Sequence, residues 1–176
     1  MKTTLIAFLD KAWPPEHSFV DGMLANEAAR DPDVGVRLCV SHTQGFTLAS
    51  RRYKNAACLP RLYPRRGFGR IKNLPVAIGL IVRQSRRERE RGRRVVVFVR
   101  NDPIYLLAAS LFRKRIDRLV FQSSFPHEEN SGWFLKRWIA RALYRLFSRG
   151  VDIVTAVSPE GVERTARLCP HAEPGP

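Results

Sequence analysis

Ser123, Ser124, His127, Glu128 and Glu129 crowd the segment SSFPHEEN, directly behind the apolar run Leu119-Val120-Phe121. Hydroxyls and an imidazole that donate or accept, beside carboxylates that accept in pairs, are groups suited to lining the mouth of a binding site. The alternative for this stretch is a solvated loop with an acid that caps the next helix. Ser124 and His127 are the candidates for a catalytic role, and no complete catalytic set accompanies them. Arg100 and Asn101 follow the run Val95 to Val99, where they can meet a phosphate or an acceptor hydroxyl, although Asn101 or Asp102 equally suits a helix N-cap. His17 and Ser18 stand in the loop after the first apolar run. Ser158, ahead of Pro159, is an N-cap whose neighbouring N–H groups could also receive an anion.

These residues converge only if the runs before them are strands that end at one edge. Thr3 to Leu9 is the first such run, and the spacing of Phe19, Met23, Leu24 and Ala28 predicts a helix from Ser18 to Arg30. Val34 to Val40 is the second strand, and Ala56 to Leu59 is a short third. Gly69 to Arg91 reads as a long helix with Ile71, Leu74, Ile78, Ile81 and Val82 inward and a tail, QSRRERERGRR, too charged to be buried. Gly92 stops it, and Val95 to Val99 is a buried parallel strand. A helix from Ile104 to Arg115, the strand at Leu119 to Phe121, a helix from Ser131 to Gly150, a strand at Ile153 to Val157 and a helix through Leu168 complete the alternation. Strand and helix alternating about six times specify an α/β, Rossmann-like, doubly wound and mostly parallel sheet with helices on both faces. Ligands of such sheets bind beyond the carboxyl ends of the strands.

The chain has 176 residues and a formal charge of +15, with no acid between Asp33 and Glu88. A field this one-sided favours an anionic partner: nucleic acid, anionic lipid or a phosphorylated small molecule. Cys39, Cys58 and Cys169 show neither a disulfide framework nor zinc spacing, which fits a reducing compartment with no metal and no cofactor. The longest apolar run, Leu74 to Val82, is about half of a bilayer span. These features place the chain in the cytoplasm.

The order of VFVRNDP, LVFQSSFPHEE, a basic aromatic helix and DIVTAVSPEGVE resembles the N-terminal domain of the family 4 retaining glycosyltransferases of the GT-B fold. The resemblance runs from about Thr3 to Leu168. It implies that residues 1–168 form the acceptor-side Rossmann-like domain of a two-domain enzyme, with residues 169–176 opening an interdomain linker. The C-terminal donor-binding domain would then be the missing partner, and a glycan or a lipid-linked acceptor would lie against His17, Ser18, Arg100, Asn101, Ser123, Ser124, Glu128 and Glu129. The chain alone is expected to be inactive. Two departures stand out: the loop from Asp10 to Ser18 has no glycine, and Ser123 and Ser124 stand where many members carry a histidine.

The segment from Ser131 to Gly150 is a separate case. Trp133, Phe134, Trp138, Ile139, Ala142, Leu143, Leu146 and Phe147 form one broad apolar face, and Lys136, Arg137, Arg141, Arg145 and Arg149 carry charge without any acid. Either this helix covers the sheet with a basic outer face, or it lies at an anionic membrane surface on the inner side of the cell membrane. A basic α/β module that binds nucleic acid or another polyanion through Val34 to Arg87 is the rival to the enzyme reading.

Overall fold

Parallel strands buried on both faces read as unbroken apolar runs, and six such runs pair into one sheet. The computed structural model describes residues 2–12, 31–41, 56–62, 69–123 and 134–175. The strands are β1 (Thr3–Ala12), β2 (Val34–Ser41), β3 (Ala56–Leu62), β4 (Arg94–Arg100), β5 (Arg118–Ser123) and β6 (Ile153–Ala156). A two-residue β7 (Glu173–Pro174) completes the sheet, whose order is β3-β2-β1-β4-β5-β6-β7 with every neighbouring pair parallel. The chain therefore reverses its direction of travel between β1 and β4, the switch point of a Rossmann-like fold. Residues 169–176 were expected to leave the domain as an interdomain linker. Instead they return to the sheet, where the Glu173 N–H donates to the Asp152 carbonyl at 2.7 Å and that of Gly175 to Val154 at 2.7 Å.

Four helices connect the second half of the sheet: α1 (Gly69–Glu90), α2 (Pro103–Leu111), α3 (Phe134–Phe147) and α4 (Pro159–Leu168). Their inner faces meet one face of the sheet. Ile6, Phe8, Val95, Val97, Val99, Leu119, Phe121 and Val154 alternate onto that face and pack with Ala77, Ile81, Tyr105, Leu106, Ala109 and Tyr144. The Phe8 and Tyr105 rings lie 5.2 Å apart and those of Phe121 and Tyr144 5.7 Å. Burying each such ring stabilises the fold by about 2 to 3 kcal/mol. The opposite face buries Val36, Leu38 and Ala7. The helix expected at Ser18 to Arg30 lies outside the described residues, so helices are seen over one face only.

Helix α1 departs from its expected orientation. Ile71 is exposed, whereas Gln84, Ser85 and Glu88 of the charged tail are buried, Glu88 completely. The reason is helical geometry: Ala77, Leu80, Ile81, Gln84, Ser85 and Glu88 recur at steps of three and four, so the inward stripe simply continues into polar residues. Glu88 Oε2 accepts from the Thr4 hydroxyl at 2.8 Å. Arg37, Arg91 and Arg93 approach its two oxygens at 3.6, 3.5 and 3.4 Å. Gly92, at φ 67°, makes the turn that brings Arg93 back, and the Arg93 N–H bonds the Glu88 carbonyl at 3.0 Å. Arg37, drawn out of water by this arrangement, has its pKa lowered, first by burial and against the pull of Glu88.

Two further acids close the same edge. Asp117 Oδ2 accepts from the Val95 N–H at 2.7 Å, and Asp152 Oδ2 accepts from the Leu119 N–H at 2.6 Å while binding the Arg113 guanidinium. Arg113 also donates to the carbonyls of Gly150 and Ile116, at 2.9 and 2.7 Å. Helix α2 accordingly stops at Leu111, short of the expected Arg115, and residues Arg113–Arg115 tighten into a 3₁₀ turn that turns Arg113 to these partners.

Replacing Glu88 by Ala leaves the partly buried Arg37 and Arg93 without their counter-charge and is expected to lower unfolding free energy by about 3 kcal/mol. Replacing Glu90, whose pair with Arg86 is exposed, should change it by less than about 0.5 kcal/mol. Urea titrations of the two variants check the contrast, and similar losses would refute the structural role given to Glu88.

Candidate functional site

Beyond Arg100 the chain must leave the sheet and enter α2 within two residues, and Asn101 makes this possible. It adopts φ 54°, a left-handed conformation that asparagine tolerates better than most residues. Its N–H donates to the Gln122 carbonyl at 2.9 Å and its carbonyl accepts from the Tyr144 hydroxyl at 3.5 Å. Capping falls to Asp102, whose Oδ1 accepts from the Ile104 N–H at 2.9 Å, with Pro103 in the first helical turn. Arg100, Asn101 and Asp102 are all buried. Of the two capping candidates, then, Asp102 is the cap, and Asn101 ties the ends of β4, β5 and α3 together.

Register places two further polar residues beside Arg100. Arg100 pairs with Gln122, and Gln122 pairs with Thr155, so the three side chains form a row on the sheet face opposite the aromatic core. Neighbouring strands lie about 4.8 Å apart, so the row spans about 10 Å. Gln122 is buried, and its Oε1 and the Thr155 Oγ1 have no hydrogen-bond partner among the described residues. A buried acceptor without a donor costs about 1 to 3 kcal/mol. A guanidinium and two open acceptors side by side can bind a ligand that carries hydroxyl groups and negative charge.

Ser123 is the last residue of β5 rather than a loop residue, and alternation turns it to the face opposite Gln122. His17, Ser18, Ser124, His127, Glu128 and Glu129 lie outside the described residues, as do the side chains of Lys136 and Arg137. Arg141 and Arg145 are exposed on α3. Ser158 accepts from the Gly161 N–H at 3.1 Å and so caps α4 itself. Exposed Glu160 in that first turn has its carboxyl pKa lowered by its own backbone N–H and then by Ser158. A Cβ on Gly161 would stand 2.9 Å from that of Ala156, so glycine is needed where α4 crosses β6. The SPEG segment thus serves capping and packing.

Gln122 and Thr155 were missed from sequence. The only available signal was a polar residue interrupting each apolar strand, in LVFQS and DIVTAV, and nothing in the sequence states that the two are neighbours. A hollow of about 390 Å³ lined by Thr3, Arg94, Val96, Asp117 and Arg118 opens at the other end of the strands. It lies beside the Asp117 clamp, away from the polar row. Among the described residues no group of three His, Cys, Asp or Glu side chains is arranged to hold a metal. Cys169 is a buried free thiol whose pKa burial pushes up to about 11, so it offers no thiolate at neutral pH.

If the two open acceptors serve a ligand rather than the fold, apolar replacements of matching shape should stabilise the protein. Gln122→Leu and Thr155→Val are each expected to raise unfolding free energy by about 1 kcal/mol. A loss of stability in chemical denaturation would show that these atoms are already satisfied. No protein-family model matches the chain, and no curated protein is significantly similar to it in sequence.

Proposed function

We propose that the chain is the acceptor-binding half of a retaining glycosyltransferase of GT-B architecture, which moves a sugar from a nucleotide-sugar donor to a glycan or lipid-linked acceptor. The observation that carries this reading is the row Arg100, Gln122 and Thr155 beside the switch point of a parallel sheet. Sugar hydroxyls donate to Gln122 Oε1 and Thr155 Oγ1, and Arg100 meets an acceptor hydroxyl or phosphate. The order of the VRNDP, SSFPHEE and SPEG segments supports the same assignment.

In this reading the chain contributes position rather than a reacting group. Fixing the acceptor hydroxyl against the donor carbon replaces a bimolecular encounter with an oriented one. The donor-binding half supplies the nucleotide sugar, whose phosphate oxygens and surrounding dipoles stabilise the oxocarbenium-like charge. Among the described residues no helix is long and apolar enough to cross a membrane. The proposed setting is the cytoplasm, with the acceptor reached at the inner face of the cell membrane.

A second reading rests on the acid-free stretch from Val34 to Arg87, which suits nucleic acid or another polyanion. Arg37, within that stretch, is bound to the buried Glu88.

Calorimetric titration with hexose 1-phosphates tests the proposal. Binding is expected, and Arg100→Gln should weaken it by about ten- to a hundredfold, the loss of one charge-assisted contact. Nucleotide sugar should be consumed only when a donor-binding half is supplied. Absence of sugar-phosphate binding, with tight binding to oligonucleotides at physiological salt, would replace the enzyme reading by the second one.

A further inference from the structure

Among the described side chains of helix α3, few apolar ones turn to the core. Tyr144 is buried against Phe121 and bonds Asn101, and Ser148, just beyond the helix, is buried with its hydroxyl on the Leu168 carbonyl at 2.9 Å. Phe147 is partly buried against the same core. Of the apolar face read from sequence, Trp138 is 62 % exposed, Leu146 54 % and Leu143 38 %, while Trp133 and the side chains of Phe134 and Ile139 lie outside the described residues. Ala142, Arg141, Arg145 and Arg149 are exposed with them.

The outward residues have an order. Trp138, Ala142, Arg145 and Arg149 follow one another at steps of four, three and four, which puts them in one line along the helix, with Arg141 on one flank and Leu146 on the other. Between Phe134 and Arg149 there is no acid. Arg141, Arg145 and Arg149 make no ion pair among the described residues.

We propose that this outward face of α3 docks on the surface of an anionic lipid bilayer, with Trp138 and Leu146 in the headgroup and acyl boundary and Arg141, Arg145 and Arg149 on lipid phosphates. The occupant follows from charge and shape together. Arginines interleaved with large apolar side chains require a surface that offers anions and hydrocarbon at the same depth, which is the composition of a bilayer interface. Tryptophan prefers that level because its ring is apolar while its N–H still finds a partner. The docking face of a single surface helix is convex, and a deformable lipid surface accepts a convex element without a preformed groove. This inference stands on α3 alone and holds whether or not the carboxyl edge binds sugar.

Vesicle sedimentation of the 176-residue protein tests it, using phosphatidylcholine vesicles with and without phosphatidylglycerol. Binding is expected only to the anionic vesicles, weakening as salt rises and accompanied by a blue shift in tryptophan emission that Trp138→Phe removes in large part. The combined substitution Arg141→Gln, Arg145→Gln and Arg149→Gln should weaken binding by about a hundredfold, about fivefold for each arginine. Trp138→Ser with Leu146→Ser should also release the protein, and because both side chains are exposed, circular dichroism should show an unchanged fold. Equal binding to neutral vesicles, or none to anionic ones at low salt, overturns the proposal. So does binding that survives loss of Trp138 and Leu146, which would mark a general polyanion contact. Light scattering that shows a dimer abolished by the Trp138 and Leu146 substitutions would assign the face to a second copy of the chain instead.

Discussion

The buried carboxylate of Glu88 ties its own helix and the turn just after it to β1 and β2, which lie far away in sequence. Thr4 comes from the start of β1, Arg37 from β2, Glu88 from the end of α1, and Arg93 from the turn into β4. A carboxylate without access to water is tolerable only while these partners surround it, so the burial and the cluster depend on each other. Asp117 and Asp152 do related work on the next strands, each accepting the first free N–H of its neighbour. In a chain with 31 basic and 16 acidic residues, these acids are placed where a basic residue would fail, since the strand N–H groups need acceptors. The positive excess is left to the surface.

The two edges of the sheet therefore differ in kind. At the amino edge the N–H groups of Val95 and Leu119 meet carboxylates, while Gln84 Oε1 and Ser85 Oγ of the nearby α1 stripe have no hydrogen-bond partner among the described residues. At the carboxyl edge two acceptors stand open and Asn101 holds a conformation most residues avoid. Local instability of this type accumulates where a structure is shaped for a ligand rather than for itself. A well-tied amino edge is what lets the strands end in such groups without loosening.

Much of the fold was legible because parallel strands carry their signature openly. VVVFV or LVFQ needs no partner to be recognised, and Asp102 ahead of Pro103 announces a helix start. Orientation was less legible. Glu88 sits in a run so charged that composition suggests solvent, and only continuing the period from Ala77 through Ile81 reveals that it points inward. Trp138 and Leu146 mislead in the opposite sense, since hydrophobicity alone says core while the inner stripe of α3 is already filled by Tyr144 and its neighbours. Of the candidate polar row, Arg100 was named from sequence and its neighbours were not. Arg100 and Asn101 follow from strand-end reasoning, whereas the pairing of Gln122 with Thr155 is a matter of register, which no local pattern encodes.

The strand order also dictates how this chain must come together. β1 is central, yet its neighbour β4 begins roughly ninety residues later, with Thr3 pairing to Arg94. β1 to β3 and β4 to β7 each join a strand to the next one along the chain, so β1–β4 is the one distant pairing among the described strands. Local pairing is quicker to establish than distant closure. During synthesis β1 to β3 can pair with one another, but one edge of β1 waits unpaired until β4 has emerged. Glu88, arriving just before β4, brings the partner that Thr4 and Arg37 lack until then, so the same cluster that locks the edge also marks the moment at which the two halves become one sheet.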